Sequence, residues 1–270
     1  GMTHFEVAVL ASGSKGNATV IRGAGQTFLV DVGISCRQLV NRMRDVGFDP
    51  ETLSGVFLTH EHIDHVKGLE TFSKNFAAPI FASAGTWAGV REERHFLPAH
   101  YRVLAGDLTF DQVRVGNFAV SHDAREPVGY TFTAAAHKLA YVTDTGFVTD
   151  AIKTAVRGAD TLYLEANHDV QMLKDGSYPY VLKKRILSTK GHLDNTAAGW
   201  LLAGMSPLPH EIFLAHLSQE NNRPEVALAS VRQILAKSGQ GAGIKIYVTT
   251  QDHTIKNFTG EDYHEQNIFA

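Results

Sequence analysis

The chain has 270 residues, of which 44% are hydrophobic and 20% are charged, so it has ample material for a globular core. No apolar run approaches the roughly 20 residues that span a bilayer, so a membrane protein is not expected. The formal net charge is −3 and Cys36 is the single cysteine, so neither a general attraction to nucleic acid nor an intrachain disulfide is expected.

The first part of the chain predicts short strands and one clear helix. Gly1 before Met2 is interpreted as an expression remnant, and no basic and apolar leader follows, so a cytoplasmic location is expected. Strands are predicted at residues 5–10, 19–22 and 27–32, and a buried strand at 55–59. Between them, Ser35 is the expected N-cap of a helix that Gly47 closes, with Cys36 as a small core residue.

The remaining chain alternates strands with helices. Helices are predicted near residues 85–94 and 224–236, with two more between 165 and 211. Strands are predicted at residues 110–115, 118–121, 130–134, 139–143, 161–165, 211–215 and 245–249. Strands and helices in both halves predict an α/β fold with two sheets packed face to face, a four-layer αββα sandwich. No linker or repeat divides the chain, so residues 1–270 are interpreted as one domain.

A histidine-rich segment, Thr59-His60-Glu61-His62-Ile63-Asp64-His65, leaves the predicted strand at 55–59. A tight loop with this spacing can aim four ligands, His60, His62, Asp64 and His65, into one pocket. Imidazole nitrogens and a carboxylate oxygen, with no thiolate nearby, suit Zn, Mn or Fe. The segment therefore predicts a metal site.

Four further ligand-type side chains occupy strand ends, namely His122, Asp144, Glu165 and His216. Each could by itself be an ordinary surface residue after a strand. Together they place ligand-type side chains around one rim of the fold, which favours a common site.

The order His60-x-His62-x-Asp64-His65, then His122, Asp144 and His216, resembles the metallo-β-lactamase superfamily. The resemblance implies two divalent metal ions, Zn or Mn. It implies one ion on His60, His62 and His122, and a second on Asp64, His65 and His216. Asp144 would bridge the two ions, and a hydroxide between them would be the nucleophile, because metal binding lowers the pKa of water toward about 7.

The region after Asp144 resembles the phosphodiesterase branch typified by ribonuclease Z. The lactamase branch fits less well because it lacks the bridging aspartate. In the phosphodiesterase branch a glutamate after a strand and a histidine before the last ligand form a proton relay, and Glu165 and His192 match them. The resemblance thus implies His192, Glu165 and Asp64 as catalytic residues, with Glu165 orienting His192 and raising its pKa. A helix cap is the alternative role for His192.

More narrowly, the chain is similar to the bacterial WalJ (YycJ) family. The similarity rests on the segments 11–17, 164–169, 178–179, 182–186, 216–218 and 220–222. Asp194 departs from the family, in which serine is common at this position. The family implies 5′-to-3′ exonuclease activity on DNA and a connection with DNA repair.

Nucleic acid, with DNA favoured over RNA, is accordingly the expected partner, and no membrane is expected. Candidate substrate contacts are Lys183, Lys184, Asn167, His168 and Ser218. For the two lysines, the solvated face of a helix is the alternative interpretation.

Three other functions are compatible with the same residues. The first two are a phosphodiesterase for small molecules or cyclic nucleotides and a tRNA-processing ribonuclease, although no Gly/Pro-rich insertion suggests the substrate arm of the latter. The third is a non-catalytic metal-binding scaffold, against which the Glu165 and His192 pair argues, because a scaffold needs no general acid.

Overall fold

The computed structural model describes residues 4–259 and the strand Ile268–Phe269, so Gly1 lies outside the described residues. The strands are β1 (Glu6–Ala11), β2 (Ala18–Gly23), β3 (Gln26–Val30), β4 (Gly55–Phe57), β5 (Ile80–Ala82), β6 (Tyr101–Val103), β7 (Leu108–Phe110), β8 (Val113–Ala119), β9 (Val128–Ala134), β10 (His137–Val142), β11 (Thr161–Glu165), β12 (Glu211–Ala215), β13 (Lys245–Val248), β14 (Ile255–Lys256) and β15 (Ile268–Phe269). The helices are α1 (Cys36–Asp45), α2 (Ile63–Val66), α3 (Leu69–Asn75), α4 (Ala84–Arg94), α5 (Asp150–Val156), α6 (Val170–Asp175), α7 (Tyr180–Ile186), α8 (Asn195–Ala203) and α9 (Pro224–Lys237). Within the described part of the chain, none of these helices is long and apolar enough to cross a membrane.

The strands form two mixed sheets. The first has seven strands in the order β14-β1-β2-β3-β4-β5-β6, and the second has eight in the order β15-β13-β12-β11-β10-β9-β8-β7. Strands β3 to β6 are parallel to one another, and so are β10 to β13. Loops after parallel strands leave one edge of a sheet, which is where ligands bind in open α/β folds.

The apolar residues separate into three layers of core. Aromatic rings such as Phe28, Phe57 and Phe132 fill the space between the two sheets, and Phe57 meets Phe132 edge to face at 5.9 Å. Leu39 of α1 belongs to a second cluster on the outer face of the first sheet, and Val231 of α9 belongs to a third on the outer face of the second sheet. The four-layer αββα sandwich is therefore confirmed.

Helix α1 shows how local sequence sets the element boundaries. The Ser35 hydroxyl accepts the backbone N–H of Gln38, which satisfies a free donor of the first turn. Leu39 and Met43, four residues apart, are buried on one face. The chain leaves the helix at Gly47, whose φ of 87° suits a residue without a Cβ. The predicted N-cap and end of this helix are confirmed.

The predicted strand at 110–115 is wrong. Residues 111–112 form a tight turn between β7 and β8, in which Phe110 pairs with Val113 and Asp111 has a φ of 54°. Both strands contribute apolar side chains to the same core, so the apolar residues on either side of the polar pair at 111–112 resembled one continuous strand. The predicted strand at 118–121 overlaps β8 only at residues 118–119, where β8 ends. Three helices (α6, α7 and α8) replace the two predicted between residues 165 and 211.

Candidate metal centre

The ligand-type side chains meet at the edge where the parallel strands of both sheets end. His60 lies beyond β4, and His62 directly precedes α2, which contains Asp64 and His65. On the second sheet, Asp144 lies beyond β10 and His216 directly follows β12. Asp144 and His216 have φ values of 50° and 58°, which non-glycine residues rarely adopt. Such backbone geometry concentrates at functional sites.

One cluster consists of His60, His62 and His122, which can each offer one nitrogen within 4.8 Å of the others. Each ring has its other nitrogen engaged by a neighbour. Nδ1 of His60 lies 3.0 Å from the Thr59 hydroxyl. Nε2 of His62 donates to the Asp123 carbonyl at 2.8 Å, and Nδ1 of His122 donates to the Gly191 carbonyl at 2.9 Å.

These contacts select the tautomers. Nε2 of His60, Nδ1 of His62 and Nε2 of His122 are left with their lone pairs available. Burial is the main reason that the pKa of His60 lies well below its usual range, so this ring is neutral. Neutral imidazoles oriented by a second hydrogen bond are typical metal ligands.

A second cluster contains Asp64, His65 and His216, which can also hold a metal ion together. Nε2 of His65 and Nε2 of His216 lie 3.5 and 3.6 Å from the same carboxylate oxygen of Asp64. Nδ1 of His65 donates to the buried carboxylate of Asp31 at 2.7 Å. Asp31 in turn accepts the backbone N–H of Thr59 at 2.8 Å, so two hydrogen bonds fix the orientation of His65.

Asp144 lies between the two clusters. One of its oxygens is 2.8 Å from Nε2 of His65 and 3.6 Å from Nε2 of His60. The other is 4.0 Å from Nε2 of His122 and 3.6 Å from Nδ1 of His216. Burial raises the pKa of Asp144, but the imidazoles of His216 and His65 outweigh it and hold that pKa well below its usual range.

The fit of this site to metal ions rests on its unsatisfied polar atoms. Both carboxylate oxygens of Asp144, Nε2 of His60 and Nε2 of His216 are buried and lack a hydrogen-bond partner among residues 4–259. Buried polar atoms are nearly always hydrogen-bonded, and a buried charge needs an opposite charge or a metal. A cation on each side of Asp144 would satisfy all four atoms, so the donor set fits divalent metal ions.

The buried Glu165 and the half-buried His192 form a pair beside Asp144. Oε2 of Glu165 lies 2.6 Å from Nδ1 of His192, and Oε1 accepts the backbone N–H groups of Thr145 and Leu193. Burial favours neutral Glu165, but the charge of His192 outweighs it and lowers the pKa of Glu165 to about 2. Burial likewise opposes charge on His192, but Glu165 and Asp144 raise its pKa to about 9.

His192 does not cap the helix that follows it. The side chain of Asp194 takes that role, because its carboxylate accepts the backbone N–H of Ala197 at 2.9 Å at the start of α8. The aspartate that departs from the family pattern is therefore engaged within the protein. His192 remains available to the cleft, with Nε2 as its free nitrogen.

The cleft over the metal centre has a volume of about 270 Å³. Its wall includes the candidate ligands other than the buried His60 and His65, together with the predicted substrate contacts Asn167 and Ser218. Arg185 and Lys190 are the arginine and lysine side chains of this wall. Arg185 also pairs with Asp123 at 3.2 Å, so it ties the cleft wall to the loop after His122.

The other predicted substrate residues do not line this cleft. Lys183 and Lys184 lie on the opposite side of α7, where they line a separate groove. His168 is buried, and its Nδ1 donates to the side-chain oxygen of Asn167 at 3.1 Å. Asn167 donates to the His216 carbonyl at 2.8 Å. His168 is therefore linked to the candidate ligand His216 indirectly, by its hydrogen bond to Asn167.

The sequence motifs did not predict the residues that orient the candidate ligands. Asp31 has a signal, since it is a charged residue directly after the apolar run Phe28-Leu29-Val30. Asn17, whose amide donates to the Asp64 carbonyl at 3.2 Å, stands in a turn-rich loop with no such signal. The role of Thr59 depends on contacts with Asp31 that exist only in the folded chain.

The chain matches a family model described as a beta-lactamase superfamily domain over residues 26–217. It is 39% identical over 244 residues to exodeoxyribonuclease YycJ of Bacillus anthracis, covering 89% of this chain and 92% of the relative. It is 34% identical over 256 residues to exodeoxyribonuclease WalJ of Streptococcus pneumoniae serotype 2, covering 92% of this chain and 95% of the relative.

Solved structures agree on the fold. The crystal structure of the metallo-β-lactamase fold protein YhfI from Bacillus subtilis matches with a TM-score of 0.70 at 16% identity, covering 94% of this chain and 99% of that chain. The resemblance inferred from the sequence motifs is thereby confirmed. The chain belongs to the metallo-β-lactamase superfamily and, within it, to the family that includes the exodeoxyribonucleases YycJ and WalJ.

Proposed function

We propose that this protein is a dinuclear metal-dependent phosphodiester hydrolase and acts as a 5′-to-3′ exonuclease on DNA. The observation that carries the proposal is the buried carboxylate of Asp144, unsatisfied between two histidine clusters. The names of the two relatives, both exodeoxyribonucleases, favour DNA over RNA as the substrate. We also propose that the protein is located in the cytoplasm and takes part in DNA repair.

The metal-binding residues divide into two sets that share Asp144. The first set is His60, His62 and His122, and the second is Asp64, His65 and His216. Nitrogen and oxygen donors without a thiolate suit Zn or Mn. Two such ions would lower the pKa of a water molecule toward about 7 and offset the charge of the scissile phosphate.

His192 is proposed to protonate the leaving oxygen. Phosphodiester cleavage expels an alkoxide, which departs slowly unless it receives a proton. The raised pKa keeps His192 protonated at neutral pH, and Glu165 holds Nδ1, so Nε2 carries the proton toward the cleft. Glu165 acts through His192 and is a positioning residue.

Asn167 and Ser218 are proposed to contact the substrate inside the cleft, and His168 is proposed to steady Asn167. Lys183 and Lys184 would attract phosphates outside the cleft, because both lie on the other side of α7. With a net charge of −3, the chain depends on such local positive charge to hold a polyanion.

The test is a nuclease assay on 5′-labelled single- and double-stranded DNA and RNA with Mn, Mg and Zn in parallel. We expect mononucleotides to leave the 5′ end of DNA when Zn or Mn is present, and no cleavage after chelation. Cleavage of RNA alone would point to a tRNA-processing enzyme. Hydrolysis restricted to cyclic nucleotides or small diesters would point to a small-molecule phosphodiesterase, and either result would overturn the exonuclease assignment.

A further inference from the structure

A strongly basic segment borders the metal cleft. Residues 174–190, which include α7, carry five cationic side chains and one acidic side chain, a net charge of +4 in a chain whose total is −3. The cations are Lys174, Lys183, Lys184, Arg185 and Lys190. The rest of the chain is therefore acidic, and this segment is a local site of attraction for a polyanion.

Helix α7 is unusual because none of its seven residues is buried. Tyr180 and Val181 are 76% and 77% exposed, more than any other large hydrophobic residue that the structure describes. Exposing an aromatic ring to water brings no benefit to folding, since its apolar surface stays hydrated. An exposed tyrosine among lysines is instead suited to stack on a flat partner that carries negative charge.

The two sides of α7 face different spaces. Leu182, Arg185 and Ile186 line the metal cleft. Tyr180, Lys183 and Lys184, together with Lys174, line a groove of about 600 Å³ on the other side. The helix is thus a ridge between the cleft and the groove. A polymer whose reacting group occupies the cleft can continue across this ridge into the groove.

We propose that the groove beside Tyr180 binds an unpaired segment of the polynucleotide whose scissile phosphate occupies the cleft. A base stacks on the ring of Tyr180, and the phosphates flanking it pair with Lys183 and Lys184. The Lys183 ammonium already donates to the Lys174 carbonyl at 2.7 Å, which holds it at the groove. The proposal rests on the proposed nuclease function and assigns single strands as the preferred substrate class at this subsite.

Two physical arguments favour an unpaired strand over other occupants. Inside a duplex both faces of every base are covered by neighbouring bases, so along the strand an unpaired base is the one that can offer its face to Tyr180. A second copy of this chain on the same surface would bring two segments of net charge +4 together, which is repulsive. A nucleic acid strand instead satisfies the aromatic and the cationic side chains at once.

The test compares Tyr180→Ala with Tyr180→Phe and with the control Trp200→Ala. Trp200 is 55% exposed and lines a different cavity on the outer face of the second sheet. It is therefore an exposed aromatic residue like Tyr180, but it lies outside the proposed groove. Fluorescence anisotropy would measure binding of the metal-loaded protein to a hydrolysis-resistant phosphorothioate single strand and to the blunt duplex of the same sequence.

We expect Tyr180→Ala to weaken single-strand binding about tenfold and duplex binding much less, because the variant has no ring on which a base can stack. Tyr180→Phe keeps the ring and should bind as the unaltered protein does, and so should Trp200→Ala. Equal losses for single strand and duplex, or equal behaviour of Tyr180→Ala and Trp200→Ala, would overturn the proposal. So would a dimer in solution that Tyr180→Ala converts to a monomer with unchanged binding.

This experiment separates the two proposals. Binding is measured without turnover, so it reports on the groove even if the unaltered protein hydrolyses no phosphodiester. Hydrolysis of bis(p-nitrophenyl) phosphate, which is too small to reach the groove, reports on the metal centre alone. If none of Zn, Mn and Mg supports that hydrolysis, the result would count against the proposed function. The binding data for the Tyr180 variants would still be interpretable.

Discussion

Glu165 holds His192 through a hydrogen bond of 2.6 Å between Oε2 and Nδ1. The other oxygen of the same carboxylate accepts the backbone N–H groups of Thr145 and Leu193 at 3.0 Å. One buried side chain therefore connects the loop after Asp144 with the loop that carries His192. This arrangement fixes the distance between His192, the proposed proton donor, and Asp144, the carboxylate between the two clusters of candidate ligands.

His192→Ala should lower turnover on DNA by about 10² to 10⁴, the usual contribution of general acid catalysis. Both metal ions should remain, because their proposed ligands are elsewhere. A diester with a nitrophenyl leaving group needs little protonation and should lose much less. Turnover of both substrates and metal content would be measured on one preparation. Equal losses on the two substrates, or loss of a metal, would show that His192 is not the acid.

The protein purified without chelators should contain two divalent metal ions per chain. Seven candidate ligands exceed what one tetrahedral ion requires, and Asp144 lies within 4.0 Å of nitrogens from both clusters. Elemental analysis would give the count, and anomalous diffraction should show two peaks about 3.5 to 4 Å apart. One fully occupied site with Asp144 directed away from it would contradict the dinuclear assignment.

Asp144→Ala should abolish hydrolysis while the fold persists. Among residues 4–259 the side chain has no hydrogen-bond partner, and it belongs to none of the apolar core clusters, so its removal disturbs the metal centre rather than the core. Circular dichroism and turnover measured on the same sample would test both parts of this expectation. Asp107→Ala, at an exposed surface aspartate, is the control. Near-normal turnover of Asp144→Ala would remove this residue from the site.

Asp31→Asn should weaken metal binding about 10- to 100-fold, which is typical for loss of a residue that orients a ligand. The amide keeps the size of the side chain but removes the negative charge that accepts the hydrogen bond from Nδ1–H of His65. Competition with a chelator would measure the affinity of the weaker site. If affinity and turnover both match the unaltered protein, Asp31 contributes to packing and not to the metal centre.

Lys183→Glu and Lys184→Glu should weaken DNA binding and make it less sensitive to salt. For every phosphate that the variant no longer neutralises, the slope of log affinity against log salt concentration should become shallower by about one unit. Anisotropy titrations at several salt concentrations would give that slope. Lys237→Glu at the end of α9 is the charge-matched control. Identical slopes for all three variants would mean that the lysines of α7 only solvate a helix.

Local sequence determined much of this protein. The spacing of His60, His62, Asp64 and His65 within six residues brings four ligands together in one loop, because a short chain cannot separate them far. The strand ends that carry Asp144, Glu165 and His216 were visible because apolar strands stop abruptly at a polar residue. The helix from Ser35 to Gly47 was predictable for a similar reason, since caps act on the nearest turn.

Tertiary structure decided what depends on distant contacts. The tautomers of His62 and His122 follow from carbonyls of Asp123 and Gly191, and no local pattern links His122 to a residue 69 positions away. The turn at residues 111–112 was hidden because both flanking strands pack apolar side chains into one core. The side of α7 that faces the metal cleft could not be predicted from the sequence either. A seven-residue helix with no buried stripe carries no periodic signal. Only its place beside the loops after β10 and β11 puts Arg185 on the wall of the metal cleft and Tyr180 on the opposite side.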